Sequence, residues 1–118
     1  MTEVVIPNGV ARIPARCFKE CKQLETVRLP EGVYRLNDQA FIWCESLKNM
    51  NLPSSLEQIG YGCFRGCVSL TKLVIPDSVL GISSDAFWGC ENLTVFIHSD
   101  EFDDILQKCK VREIVHDF

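Results

Sequence analysis

The stretch CFKECKQLETVRLP, residues 17–30, returns 23 positions later as AFIWCESLKNMNLP, then as CFRGCVSLTKLVIP from Cys63 and AFWGCENLTVFIH from Ala86. The alignment sets up columns: Phe18, Phe41, Phe64 and Phe87; Cys21, Cys44, Cys67 and Cys90; Leu24, Leu47, Leu70 and Leu93; Pro7, Pro30, Pro53 and Pro76. Between proline and phenylalanine run Val10, Val33, Leu56 and Val79, then Ile13, Leu36, Ile59 and Ile82, and none of these columns breaks to a charge. A fixed period of this length is the signature of a solenoid, in which a coil cannot bury its own apolar edge and must stack on its neighbours.

Within a coil, Leu24, Val27 and Leu29 occupy positions 1, 4 and 6 before Pro30. This spacing predicts a short strand with Val27 and Leu29 inward and Thr26 and Arg28 outward, ended by a proline that cannot donate to a ladder. Val33 to Leu36 crosses back as a second short strand, and the A-F-x-x-C segment is expected to form one helical or 3₁₀ turn.

These residues resemble the BspA-type leucine-rich repeats, whose 23-residue unit reads A-F-x-x-C-x-x-L-x-x-V-x-I-P-x-x-V-x-x-I; the likeness covers residues 3 to about 98. The resemblance implies a curved α/β solenoid with short parallel strands, used for protein recognition and often found in surface adhesins, with no catalytic residue. Residues 1–98 are expected to make four to five coils, and 99–118 a helix-and-strand cap.

The ends depart from the repeat. In strict register TVFIHS would turn Phe96 and His98 inward; a one-residue slip, which flips a strand, buries Val95 and Ile97 instead and leaves His98 outside. Phe102, Ile105, Leu106 and Cys109 then form a helical stripe, with Ser99 or Asp100 expected as its cap. Val111 and Ile114 fit a last strand against Val95 and Ile97. The amino end has no such ending, so the edge at Val4 and Ile6 either pairs with another molecule, as in a homodimer through equivalent first coils, or is short enough to tolerate water.

The 118 residues carry 12 basic and 16 acidic side chains, net charge −4, without the Lys/Arg stripe that nucleic acid requires. No apolar run is long enough to span a membrane. The first twenty residues lack the pattern of a signal peptide and already hold repeat positions, which favours a cytoplasmic location. Seven cysteines, odd in number and spaced by the repeat, are expected to be free thiols that pack as small hydrophobes. A straight ladder of thiols does not wrap a metal, and no cofactor is expected.

A non-catalytic protein-binding module is the expected function, with the outward positions as its contact surface. The strand face offers Val74 and Phe96, with Arg28 and Asn51 as polar candidates. The turn side offers Ile42, Trp43 and Trp88, and tryptophan is the stronger anchor type; Tyr34 and Tyr61 are weaker candidates. One alternative is a structural segment of a longer surface protein. Another is a cysteine-dependent enzyme, for which Cys109 with His98 or His116 is the available pair.

Overall fold

The computed structural model describes residues 2–118. In chain order it comprises β1 (Glu3–Val5), β2 (Arg12–Ile13), β3 (Thr26–Arg28), β4 (Arg35–Leu36), β5 (Asn49–Met50), β6 (Gln58–Ile59), β7 (Lys72–Val74), β8 (Gly81–Ile82), β9 (Thr94–Phe96), α1 (Asp103–Lys108) and β10 (Glu113–Val115). Every strand pairing is parallel. One flank of the solenoid is a continuous sheet, β2-β4-β6-β8, and the other is two sheets, β1-β3-β5 and β7-β9-β10.

Inward columns fill the interior. Val27, Leu73 and Val95 face Ile13, Leu36, Ile59 and Ile82 from the opposite flank, all buried. Phe18, Phe41, Phe64 and Phe87 stack with ring centroids 5.3, 5.5 and 5.4 Å apart and nearly parallel planes. Each fully buried ring contributes about 1.5–3 kcal/mol.

The A-F-x-x-C arc differs from the helical turn expected of it. Turns follow at every second residue, as when the amides of Ala40, Ile42 and Cys44 donate to the carbonyls of Asn37, Gln39 and Phe41. The intervening amides of Gln39, Phe41 and Trp43 donate to Tyr61, Cys63 and Arg65 in the next coil. A helix would keep all these donors within the coil; here alternate ones are used for stacking. The arrangement requires left-handed residues at two columns, Arg16, Gln39, Gly62 and Asp85, then Glu20, Trp43, Gly66 and Gly89, with φ between 56° and 85°.

The expected slip occurs. β9 pairs with β7 as Lys72↔Thr94 and Leu73↔Val95, a 22-residue offset, so Val95 and Ile97 are buried and His98 is exposed. Helix α1 then lays Phe102, Leu106 and Cys109 on the core, and β10 pairs with β9 through Ile114↔Val95. Neither Ser99 nor Asp100 acts as the side-chain cap. Phe102 holds the N-cap position with no side-chain bond, because a backbone turn from Asp103 N–H to Asp100 O leads into the helix and the Ser99 hydroxyl accepts from Glu101 N–H. At the amino end, Val4, Ile6, Val10, Phe18 and Cys21 are only partly buried.

Candidate interaction site on the strand face

The outward columns align as the repeat requires: Glu3, Thr26 and Asn49 in one sheet, Lys72 and Thr94 in the other, with Val5 beside Arg28 and Val74 beside Phe96. Between the two sheets the stacking fails. Among the described residues no backbone hydrogen bond joins residues 48–52 to 71–75. Elsewhere the strand entry is tied by bonds such as Asn49 N–H to Glu25 O, 3.1 Å, and Thr94 N–H to Thr71 O, 2.9 Å; the matching bond from Lys72 to Lys48 is not formed.

The strand exits show what replaces the main chain. Ile6 N–H donates to Arg28 O at 2.9 Å and Ile75 N–H to Phe96 O at 2.8 Å. Leu29 N–H donates instead to Asn51 Oδ1, 2.9 Å, while Asn51 Nδ2 donates to Leu29 O, 2.9 Å. A side-chain amide carries the same donor and acceptor as a peptide group, so Asn51 satisfies β3 with its side chain. Met50 and Leu52 are left half-buried, whereas their column neighbours Val27, Leu29, Leu73 and Ile75 are buried. On the opposite flank β6 and β8 remain paired, so the solenoid opens as a wedge on one face only. The result is a groove of about 790 Å³ running from Thr26 to Pro76.

The groove walls include Arg28, Lys48 and Lys72 and no acidic residue, although the chain's net charge is −4. Arg28 pairs with Glu3 at 2.7 Å and Lys48 with Glu25 at 3.8 Å, all exposed. The Lys72 ammonium lies 5.2 Å over the Phe96 ring. Exposed ion pairs contribute only about 0–1 kcal/mol, so these cations can exchange partners readily. Of the sequence candidates, Arg28, Asn51 and Val74 line this groove and Phe96 adjoins it.

The turn side is arranged differently. Ile42 is not an exposed anchor: it is 5% exposed, because it sits in mid-solenoid between Lys19 and Arg65 of its column. Trp43, at φ 60°, lies against Gly66, where an added Cβ would collide with the indole, and the Arg65 guanidinium is 5.9 Å from its ring. Trp88 carries the Lys110 ammonium at 5.6 Å. Each indole thus packs on the solenoid, leaving 41% and 37% of Trp43 and Trp88 exposed. Tyr34 and Tyr61 are exposed and lie outside the groove.

The thiols and imidazoles do not form the pair that a cysteine-dependent reaction would use. Both nitrogens of His98 are engaged, by Asp77 at 2.9 Å and Phe118 O at 3.4 Å, and those of His116 by Ile97 O at 2.8 Å and Asp103 at 3.1 Å. Burial pushes the Cys109 thiol up, away from the thiolate a nucleophile needs. The thiols of Cys44, Cys67 and Cys90 donate to the carbonyls of Phe18, Phe41 and Phe64 one coil back, at 3.1, 3.2 and 3.0 Å.

The family model described as BspA type Leucine rich repeat region (6 copies) matches residues 1–110 of this chain. The chain belongs to the BspA-type leucine-rich repeat family. Among solved structures it is similar to a leucine rich cell surface protein from Faecalibacterium prausnitzii, with 30% identity and TM-score 0.82 over 98% of this chain and 32% of that one. It is also similar to the pneumococcal vaccine antigen PcpA, with 18% identity and TM-score 0.77 over 100% of this chain and 42% of that one. A leucine rich repeat protein of T. pallidum aligns at 26% identity and TM-score 0.65 over 97% of this chain and 69% of that one. The BspA-type repeats here therefore span about a third of the Faecalibacterium structure and 42% of the pneumococcal one. No curated protein matches the chain. Among the described residues no helix is long and apolar enough to cross a membrane.

Proposed function

We propose that this BspA-type repeat is a non-catalytic module that binds another protein on its strand face. The observation that carries the reading is the groove between β5 and β7, where a rigid repeat scaffold presents unpaired main chain, half-buried Met50 and Leu52, and the exposed Val74 at 44%. Binding energy concentrates where a few apolar anchors are enclosed by polar contacts, and the two tryptophans already rest on their own solenoid. The test is capture of partners from the native cell, identified by mass spectrometry. Val74→Ser with Phe96→Ser is expected to abolish capture while Trp43→Ser with Trp88→Ser leaves it. The reverse pattern transfers the site to the turn side, and retention by both variants removes the apolar-anchor reading.

The proposed location is cytoplasmic, in keeping with thiols that spend their protons on carbonyls rather than on bridges. A second reading, a segment of a longer cell-surface protein, is favoured by the partly uncovered first coil and by the cell-surface description of the Faecalibacterium relative. An antibody against residues 99–118 separates the two. A band near the 13.4 kDa of this chain that resists protease on intact cells supports the first, and a larger, protease-sensitive band the second.

A further inference from the structure

We propose that the groove between β5 and β7 takes an acidic, extended segment of the partner, which adds its main chain to the open strand edges; the inference rests on the strand-face reading above. Two features select that occupant. The first is main-chain hydrogen bonding. The amides of Leu52, Thr71 and Lys72, whose counterparts elsewhere in the solenoid are bonded to the next or preceding coil, have no acceptor among the described residues. Open edges of this kind pair with an extended peptide, and the flanking side chains then set which peptide is accepted.

The second is charge. Arg28, Lys48 and Lys72 stand along a groove without a single acidic wall residue, in a chain whose net charge is −4. Among the described residues Lys72 has no carboxylate partner, and its contact is the Phe96 ring. A segment alternating acidic and apolar residues places its carboxylates outward toward these cations and its apolar side chains inward on Met50 and Leu52, since successive residues of a strand point to opposite sides. A basic segment would be repelled by Lys72 and would compete with Arg28 and Lys48 for Glu3 and Glu25, and a helix would leave the open amides unbonded.

The probe is a blocked seven-residue peptide alternating glutamate and valine, compared with its lysine-and-valine counterpart and with a version carrying proline at the centre. Fluorescence anisotropy is expected to register binding of the acidic peptide, weakened by added salt, and none of the lysine peptide. Lys48→Glu with Lys72→Glu, both at exposed positions, should lower affinity about tenfold or more. The central proline, which removes one donor, should lower it as well. Amide hydrogen exchange at Leu52, Thr71 and Lys72 should slow on adding the acidic peptide. Equal binding of both peptides, binding indifferent to the charge reversal, unchanged exchange at those three amides, or no binding of the acidic peptide overturns the proposal. If partner capture is still lost in Val74→Ser with Phe96→Ser when the peptide fails, the strand-face reading stands and only the acidic occupant is rejected; if capture survives those substitutions, the strand-face reading itself fails.

Discussion

The cysteine column is held by a hydrogen bond as well as by size. A thiol that donates to a carbonyl in the coil before it links two coils, which alanine cannot do, and this separates Cys67 from Cys63. Cys63 shares its column with Ala40 and Ala86, so that site already accepts a methyl group. Cys67→Ala removes the donor to Phe41 O and opens a small cavity, and should cost about 1–3 kcal/mol, more than Cys63→Ala, by urea unfolding. Equal losses would reduce both thiols to filler. Burial drives the Cys44 thiol up to about 11 and raises those of Cys63 and Cys109, while the Cys67 thiol is raised by its hydrogen bond with Cys90 and then by burial. Accessibility sets the order in which a thiol reagent at neutral pH should label the thiols, exposed Cys17 first, although partial burial raises its thiol too, and half-exposed Cys21 next. The other five should react only on unfolding; rapid labelling of Cys109 would reopen the enzymatic alternative. Gly66 is constrained from two sides, by φ 77° and by the Trp43 indole over it. Gly66→Ala should destabilise by at least about 1 kcal/mol and shift Trp43 emission, read in a Trp88→Phe background; an unchanged spectrum would place the indole elsewhere.

At the scale of elements, the strands, the slip and the cap helix were legible because each rests on side-chain alternation or a helical stripe. Val95 and Ile97 can be buried only if Phe96 and His98 turn outward. The arc was not legible: its turns depend on which amides donate between coils, and Phe-x-x-Cys spacing serves a helical turn equally well. Nor was the groove. Asn51 occupies an ordinary outward slot in the repeat, and nothing in its spacing says that its amide will replace a peptide group at Leu29. Met50, where neighbouring coils hold Val27 and Leu73, is the only faint signal. The ending held by β10 and α1 has its own chemistry. Asp77 accepts from His98, and Ile97 O, with Asp103, accepts from His116, so both imidazoles are raised above their ordinary value. A raised native value stabilises the protonated form. That stabilisation is fully present below about pH 6.5 and is lost as the pH rises through the native values. Melting temperature should accordingly fall as pH rises above that point, and His98→Gln with His116→Gln should flatten the slope; an unaltered slope would show that neither pair strengthens the ending. Deleting residues 99–118 should expose Val95, Leu93 and Phe87 and give aggregates, whereas a well-behaved truncated monomer would show that the last coil needs no cover.

The whole molecule is asymmetric about its long axis. At the carboxyl end β10 covers the edge of β9 and α1 covers the interior columns, while at the amino end no strand among the described residues pairs with the outer edge of β1 or β2. The uncovered end carries partly buried Val4, Ile6, Val10, Phe18 and Cys21 and a hollow of about 270 Å³ between Phe18 and Leu24. In a solenoid this face is complementary to another coil, because each interior coil presents the same columns to the next. A second copy can approach it only by a rotation, and a two-fold axis brings β1 against β1 in antiparallel sense, edge amides to edge carbonyls, with the two phenylalanine ladders abutting. The chain alone should therefore self-associate as its concentration rises, and light scattering should give a mass approaching twice 13.4 kDa. Val4→Lys places a charge on the abutting face without touching the interior coils, and should hold the protein monomeric with an unchanged far-ultraviolet spectrum. A wild-type mass that stays constant over a wide concentration range would mean that the short edge of β1, three residues long, is tolerated by water, and association that persists in Val4→Lys would move the contact to another face.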